Sequence, residues 1–298
     1  VNFPVPSSLA MQQTIGLPSE PTYIRTGGFK AVYRIQNREG ENEALKAVYI
    51  PKAISDEDVM RREQLIARAK REIKALGECG SPNLVRLGTI PAKLLCISGH
   101  DYLVYSEEFL PGEPLVNWIG RQPLPTFTQL YNLFSILIGL IRDLVQIGYL
   151  HRDINPNNIM DTDIPERRYV MLDLGIAYKM HGTQLTQGGS PPGTVRYMAP
   201  ELLKPDYKDI MDFRCDLYAA GLTIYVLASG THPFAPQPEN PYATVYRIMN
   251  TIPQPLVSRR GDLPTPFCQI IDRCIRKTPA LRYSRIELVE KDLRRVAP

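Results

Sequence analysis

Long apolar runs are missing from this chain of 298 residues. The longest, 133–141, contains Ser135 and closes on Arg142 and Asp143. It is too short to span a bilayer and suits a buried helix. Charge of one sign is also scarce. A formal net charge of +4 on this length does not argue for a nucleic-acid or membrane partner. The five cysteines are an odd number and include no Cys-x-x-Cys pair. Neither a disulfide framework nor a zinc site is expected, and reduced thiols in a cytoplasmic setting are. No signal-peptide pattern or internal repeat is visible. The first residue is Val1 rather than Met, so targeting segments could lie outside the sequence. What is present, 44% hydrophobic and 22% charged residues, is the balance of an ordinary globular protein with ample material for a core.

Residues 1–19 are rich in Pro, Ser and Gln without clear periodicity and read as an N-terminal extension. Over 23–50, β-branched and aromatic residues punctuated by Gly27-Gly28 and Glu39-Gly40 predict three short strands. The charge-rich stretch 56–77 carries Leu65, Ala69, Ile73 and Leu76 at helical spacing, and Ser81-Pro82-Asn83 ends it. Strands near 93–98 and 102–107 flank a turn at Gly99-His100-Asp101. Pro111-Gly112 marks a hinge. Beyond it, helices are expected near 128–147, 213–228, 240–250, 264–275 and 284–295, with a Gly/Pro-rich segment at 182–193. The expected fold class is α+β with two lobes. A small antiparallel β lobe with one helix covers 20–110, and a larger, mainly helical lobe covers 111–298.

The chemistry concentrates in His151-Arg152-Asp153-Ile154-Asn155-Pro156-Asn157-Asn158, followed by Asp173-Leu174-Gly175. This span holds a proton acceptor (Asp153), an amide ligand (Asn158) and a metal-binding carboxylate (Asp173). A lone Asp or Asn in a loop is usually a turn residue. The complete pattern at this interval is hard to obtain by chance. Hard oxygen donors suit Mg²⁺, and the set is what transfer of a phosphoryl group from Mg-ATP to a hydroxyl requires.

The stretch resembles the catalytic and metal loops of the eukaryotic-like protein kinases, and the resemblance runs over about 23–293. Thr26-Gly27-Gly28-Phe29-Lys30-Ala31-Val32 resembles their glycine-rich phosphate loop. Only the middle glycine is kept, at Gly27, with Arg25 and Lys30 at the outer positions; a plain hairpin turn is the alternative. Ala44-Leu45-Lys46 resembles the Ala-x-Lys of the third strand. The resemblance implies that Lys46 meets the α- and β-phosphates and that Glu72 holds it. Glu72 precedes Ser81-Pro82-Asn83 by nine residues, which favours it over Glu63. A solvated surface pair, worth under about 1 kcal/mol, is the alternative. Residues 103–112 resemble the fifth strand and hinge, which implies adenine contacts from the backbone of Glu108 and Leu110. Gly27, Gly28, Val32, Ala44 and Met160 complete the implied nucleotide site. Glu107 falls at the gatekeeper position, where a buried carboxylate needs a partner; a slip of one residue is the alternative.

Gly193-Thr194-Val195-Arg196-Tyr197-Met198-Ala199-Pro200-Glu201 resembles the end of a protein kinase activation segment. By that resemblance Thr194 positions substrate and marks Ser/Thr acceptors. Glu201 pairs with Arg282, and Asp216 braces the catalytic loop. Arg152 is implied to meet a phosphate on the segment, with Thr186 the favoured site and Thr183 and Ser190 further candidates. The implied activity is transfer from ATP, with Mg²⁺ or alternatively Mn²⁺ held by Asn158 and Asp173, to protein Ser/Thr hydroxyls. Self-association for autophosphorylation goes with it, and bacterial-type Ser/Thr kinases are the nearest subgroup. One departure matters most: Asn155 stands where the family has a lysine that contacts the γ-phosphate and the incoming hydroxyl. Loss of such a donor costs on the order of 10²–10³ in rate; Lys30 is a candidate to replace its charge. With the missing glycines and Glu107, Asn155 keeps open a pseudokinase, an ATP-binding regulatory or scaffolding module. A small-molecule kinase is disfavoured by the segment 194–201.

Overall fold

A computed structural model describes residues 3–174, 195–207, 211–236 and 240–298. They divide into two compact units, Val1–Glu78 with Val85–Pro111, and Cys79–Leu84 with Gly112–Pro298.

The first unit is built on an antiparallel sheet of β1 (Thr22–Gly27), β2 (Lys30–Gln36), β3 (Asn42–Ile50), β4 (Lys93–Ile97) and β5 (His100–Glu108), in the order β1-β2-β3-β5-β4. Successive side chains of a strand point to opposite faces. On one face Ala31, Tyr33, Ile35, Leu45, Ala47, Tyr102 and Val104 form a buried cluster. On the other, Val48, Ile50 and Leu103 pack with Leu65, Ile66, Ala69 and Ile73 of α2 (Asp56–Glu78). The β4–β5 turn sits at Ser98 and Gly99, with φ 50° and 77°, closed by the pair Ile97↔His100. It lies one residue earlier than the sequence suggests, because a two-residue turn of this hand needs positive φ at both positions.

Residues 3–19 are more than an extension. They carry α1 (Ser8–Ile15), opened by Ser7, whose hydroxyl accepts from the Ala10 N–H, and closed by Gly16 at φ 74°. Met11 is fully buried in the first sheet cluster. The Tyr33 hydroxyl donates to the Pro6 carbonyl, and the Tyr102 hydroxyl donates to that of Pro4 at 2.7 Å. Phe3 stacks on Tyr49 with ring centroids 5.9 Å apart. A few scattered apolar side chains and two backbone acceptors leave only a weak periodic pattern, which is why the segment looks structureless in the sequence.

The second unit holds α3 (Phe127–Gln146), α4 (Arg214–Ser229), α5 (Pro241–Asn250), α6 (Thr265–Cys274) and α7 (Ile286–Arg294). Thr126 and Gln129 form a capping box that starts α3. Helix α4 is buried on nearly every side and packs against α3 and α6. Gly221 permits the second contact: a Cβ there would lie 2.6 Å from that of Cys274. A small sheet of β6 (Glu113–Pro114), β7 (Ile159–Asp161) and β8 (Tyr169–Met171) completes the unit. The Ser81-Pro82-Asn83 turn belongs here, since the Met171 N–H donates to the Asn83 carbonyl at 2.8 Å and Asn83 Nδ2 donates to the Tyr169 carbonyl at 2.9 Å. No described helix is long and apolar enough to cross a membrane, and all five cysteines are free.

Replacing Met11 by Ala should lower the unfolding free energy by about 2–5 kcal/mol, the usual cost of emptying a buried methionine site. Urea titration followed by circular dichroism measures it. An unshifted midpoint would mean that α1 adds nothing to the first unit.

Candidate active site

The loop 151–158 is held from below by one carboxylate. Asp216, in the first turn of α4 and 1% exposed, accepts the backbone N–H groups of His151 and Arg152, each at 2.7 Å. Arg152 has φ 65°, a conformation costing a non-glycine residue about 1–2 kcal/mol. The two charge-assisted bonds to Asp216 stabilise that turn of the chain. Asp153 follows, and each of its side-chain oxygens receives an amide: Oδ1 from Asn155 Nδ2 at 3.0 Å, Oδ2 from Asn158 Nδ2 at 2.8 Å. The same two amides also donate to the Asp153 carbonyl, both at 3.0 Å. Asn155 Oδ1 in turn accepts from the Asn157 N–H at 3.0 Å and caps the short 3₁₀ turn Pro156–Asn158. The buried, neutral amide of Asn155 therefore stands where the protein kinases it resembles have a lysine.

The strands β7 and β8 then carry the chain away from Asn158 and back toward Asp173. They pair Ile159 with Met171, and the Leu172 N–H donates to the Asn158 carbonyl at 2.8 Å. Because Asn158 spends its NH₂ group on Asp153, its Oδ1 is the atom left to meet a cation. Together with the Asp173 carboxylate it offers hard oxygen donors, which fit a divalent ion such as magnesium. Met160 sits on β7, opposite Val170.

In the first unit, Gly27 pairs with Lys30, so Gly28 (φ 61°) and Phe29 form a two-residue turn. The glycine segment is thus a tight hairpin tip between β1 and β2, with Val32 paired to Lys46. Lys46 and Glu72 are both 5% exposed, which excludes a solvated surface pair. Lys46 Nζ lies 2.5 Å from Glu107 Oε2, and Lys30 Nζ lies 3.7 Å from Glu72 Oε1. Glu107 is 1% exposed, so the acidic residue read from the hinge region does point inward. Ala44 faces Glu107 across the ladder. Glu108 ends β5, its N–H donating to the Arg86 carbonyl and its carboxylate accepting from the Arg86 N–H at 2.8 Å. Leu110 is buried just beyond.

The family model for the protein kinase domain matches residues 22–293. The chain belongs to the protein kinase family. The kinase is 24% identical over 273 residues to a probable serine/threonine-protein kinase of Clostridium perfringens, covering 92% of this chain and 37% of the relative. It is 27% identical over 281 residues to the serine/threonine-protein kinase pkn3 of Myxococcus xanthus, covering 92% and 48%. The chain thus spans less than half the length of these curated relatives. Among solved structures, the PknI kinase domain of Mycobacterium tuberculosis superposes with a TM-score of 0.63 at 21% identity, covering 93% of this chain and 94% of that one. At that identity the likeness concerns the two-lobed kinase fold alone.

Thr183, Thr186, Ser190 and Thr194 lie outside the described residues. The segment they belong to ends in an anchored pair. Arg282 Nη1 and Nη2 meet Glu201 Oε1 and Oε2 at 2.6 and 2.8 Å, with both side chains almost fully buried. The guanidinium also donates to the carbonyls of Arg214, Arg276 and Lys277. It lies 4.9 Å from the ring centre of Tyr218, whose hydroxyl burial pushes above its ordinary pKa. The sequence left two site contacts without a named partner. The Asn155 clamp had a signal, an Asn ahead of a proline that opens a 3₁₀ turn. The Lys46–Glu107 pair had only strand parity across two neighbouring strands.

Replacing Glu201 by Gln should destabilise the kinase by about 3–5 kcal/mol, since Arg282 would keep a buried charge without its counter-ion. Equilibrium urea unfolding measures this, and a loss below about 1 kcal/mol would show the pair to be dispensable.

Proposed function

We propose that this kinase domain transfers the γ-phosphate of Mg-ATP to Ser and Thr hydroxyls of protein substrates, its own activation segment among them. The observation that carries the reading is the doubly clamped Asp153. Its carboxylate is oriented by two amides, and an ionised carboxylate is an acceptor suited to a hydroxyl proton. Asp153 takes that proton as the hydroxyl oxygen bonds to the γ-phosphorus, and the bond to the β-phosphate oxygen breaks to leave ADP. Lys46 meets the α- and β-phosphates. Asn158 and Asp173 hold the magnesium, which when bound neutralises charge on the phosphate oxygens. Glu108 and Leu110 offer backbone groups to adenine. The Gly193-Thr194 motif and the bacterial serine/threonine-protein kinase relatives support Ser/Thr acceptors.

Transfer of radiolabelled phosphate to the kinase itself and to a generic basic protein tests the reading, with Asp173→Ala as the reference. Wild-type transfer well above that reference, with Thr186 modified in peptide mass spectrometry, is the expected result. Nucleotide binding with transfer no greater than in Asp173→Ala would place the chain among the pseudokinases instead.

The clamp has its own consequence. Asn155→Ala should lower kcat by on the order of 10² while leaving KM for ATP within about threefold, because misplacing a reacting group is costly even when binding survives. Equal falls in kcat and ATP affinity would mean that Asn155 supports the nucleotide rather than Asp153.

A further inference from the structure

The α2-facing side of the first unit's sheet carries a charge cluster that the functional reading leaves half unused. Strand alternation and register place Lys30 and Val32 of β2, Ala44 and Lys46 of β3, and Tyr105 and Glu107 of β5 on this face. Lys46 stands opposite Tyr105, and Glu107 opposite Ala44, which makes Lys46 and Glu107 diagonal neighbours. Long side chains can bridge that diagonal. They meet at 2.5 Å, with only 6% and 1% of the side chains exposed, and the ammonium also lies 5.9 Å from the centre of the Tyr105 ring. Glu72 of α2 is buried on the same side, with Lys30 3.7 Å away. Two lysines thus share one face with two carboxylates.

A buried ion pair is expensive to desolvate and holds only where geometry and further contacts favour it. The neighbouring positions on β5 show what the strand otherwise accepts there, since Leu103 and Tyr105 are both buried. A carboxylate at 107 therefore calls for a reason beyond filling space. The two acids also differ in what fixes them. Glu107 belongs to a strand bonded on both sides, to β3 and to β4, and is bridged to Leu87. Its position follows from the ladder that also fixes Lys46. Glu72 is placed by the packing of a helix.

We propose that Glu107 is a positioning residue for Lys46, orienting its ammonium from within the sheet so that the phosphate-binding geometry does not depend on α2 alone. The proposal rests on the reading of Lys46 as the phosphate-binding lysine. Lys30, 3.7 Å from Glu72, adds a second positive charge to the same cluster. The gatekeeper position then serves charge placement, and the wall it forms is ionic.

The test measures affinity for a fluorescent ATP analogue directly, beside KM for ATP, kcat and thermal midpoint. The variants are Glu107→Gln, Glu107→Asp and Glu72→Gln, together with Lys46→Ala and the double variant Lys46→Ala/Glu107→Gln. Glu107→Gln should weaken analogue binding about tenfold, at least as much as Glu72→Gln does. Glu107→Asp keeps the charge and should recover part of the loss, and it covers the case in which Glu107→Gln does not fold. In the Lys46→Ala background, Glu107→Gln should change affinity by less than about twofold. A lower thermal midpoint with unchanged affinity would make the pair merely structural and overturn the proposal. Tighter binding by Glu107→Gln would overturn it as well, by showing that the carboxylate competes with the nucleotide for Lys46. A wild-type protein that binds no analogue would instead remove the functional reading on which the proposal stands.

Discussion

The loop 151–158 hangs on one buried carboxylate. Asp216 lies in the first turn of a helix enclosed by protein, where the helix N-terminus favours negative charge, and it accepts two consecutive backbone amides from the loop. Those bonds stabilise Arg152 in a left-handed conformation that an unsupported arginine would leave. Everything after that turn inherits its direction. Asp153 projects toward Asn155 and Asn158, the chain enters the 3₁₀ turn at Pro156, and β7 departs with Asn158 at its root.

The carboxylates of the two units have different partners. In the second unit the Asp153 carboxylate accepts from two neutral amides, those of Asn155 and Asn158. Glu201 is held by a bidentate guanidinium in a fully buried pair, an arrangement suited to anchoring a chain segment. In the first unit Glu72 and Glu107 are both buried beside lysines. The low exposure of these groups makes their pairing matter, because each would be costly to leave without a counter-charge in a medium that screens poorly.

Much of the architecture was legible in the chain. Helical spacing at Leu65, Ala69, Ile73 and Leu76 marked α2, and the apolar run around 133–141 marked α3, because an amphipathic or buried helix writes its period into the sequence. Pairs joined by short turns, such as β4 and β5, were equally plain. The segment before β1 was not legible. Its contacts run through scattered side chains such as Phe3 and Met11 and through the carbonyls of Pro4 and Pro6, and backbone acceptors have no residue-type signature. The glycine segment was ambiguous for a related reason, since Gly27-Gly28 suits both a phosphate cradle and a plain hairpin turn, and the pair Gly27↔Lys30 shows a two-residue turn compatible with either.

The order of residues alone determined the family. His151, Asp153, Asn158 and Asp173 stand at an interval that few other chemistries would demand, and the glutamate and arginine at 201 and 282 match them from a distance. Partners across the fold were decided only by tertiary structure. Asn155 became a clamp for Asp153 because the turn folds its amide back by two residues. Glu107 met Lys46 because strand register sets them on one diagonal of one face. A side chain's type is written in the sequence, but the charge or amide it will face depends on register and helix packing, which many residues fix together.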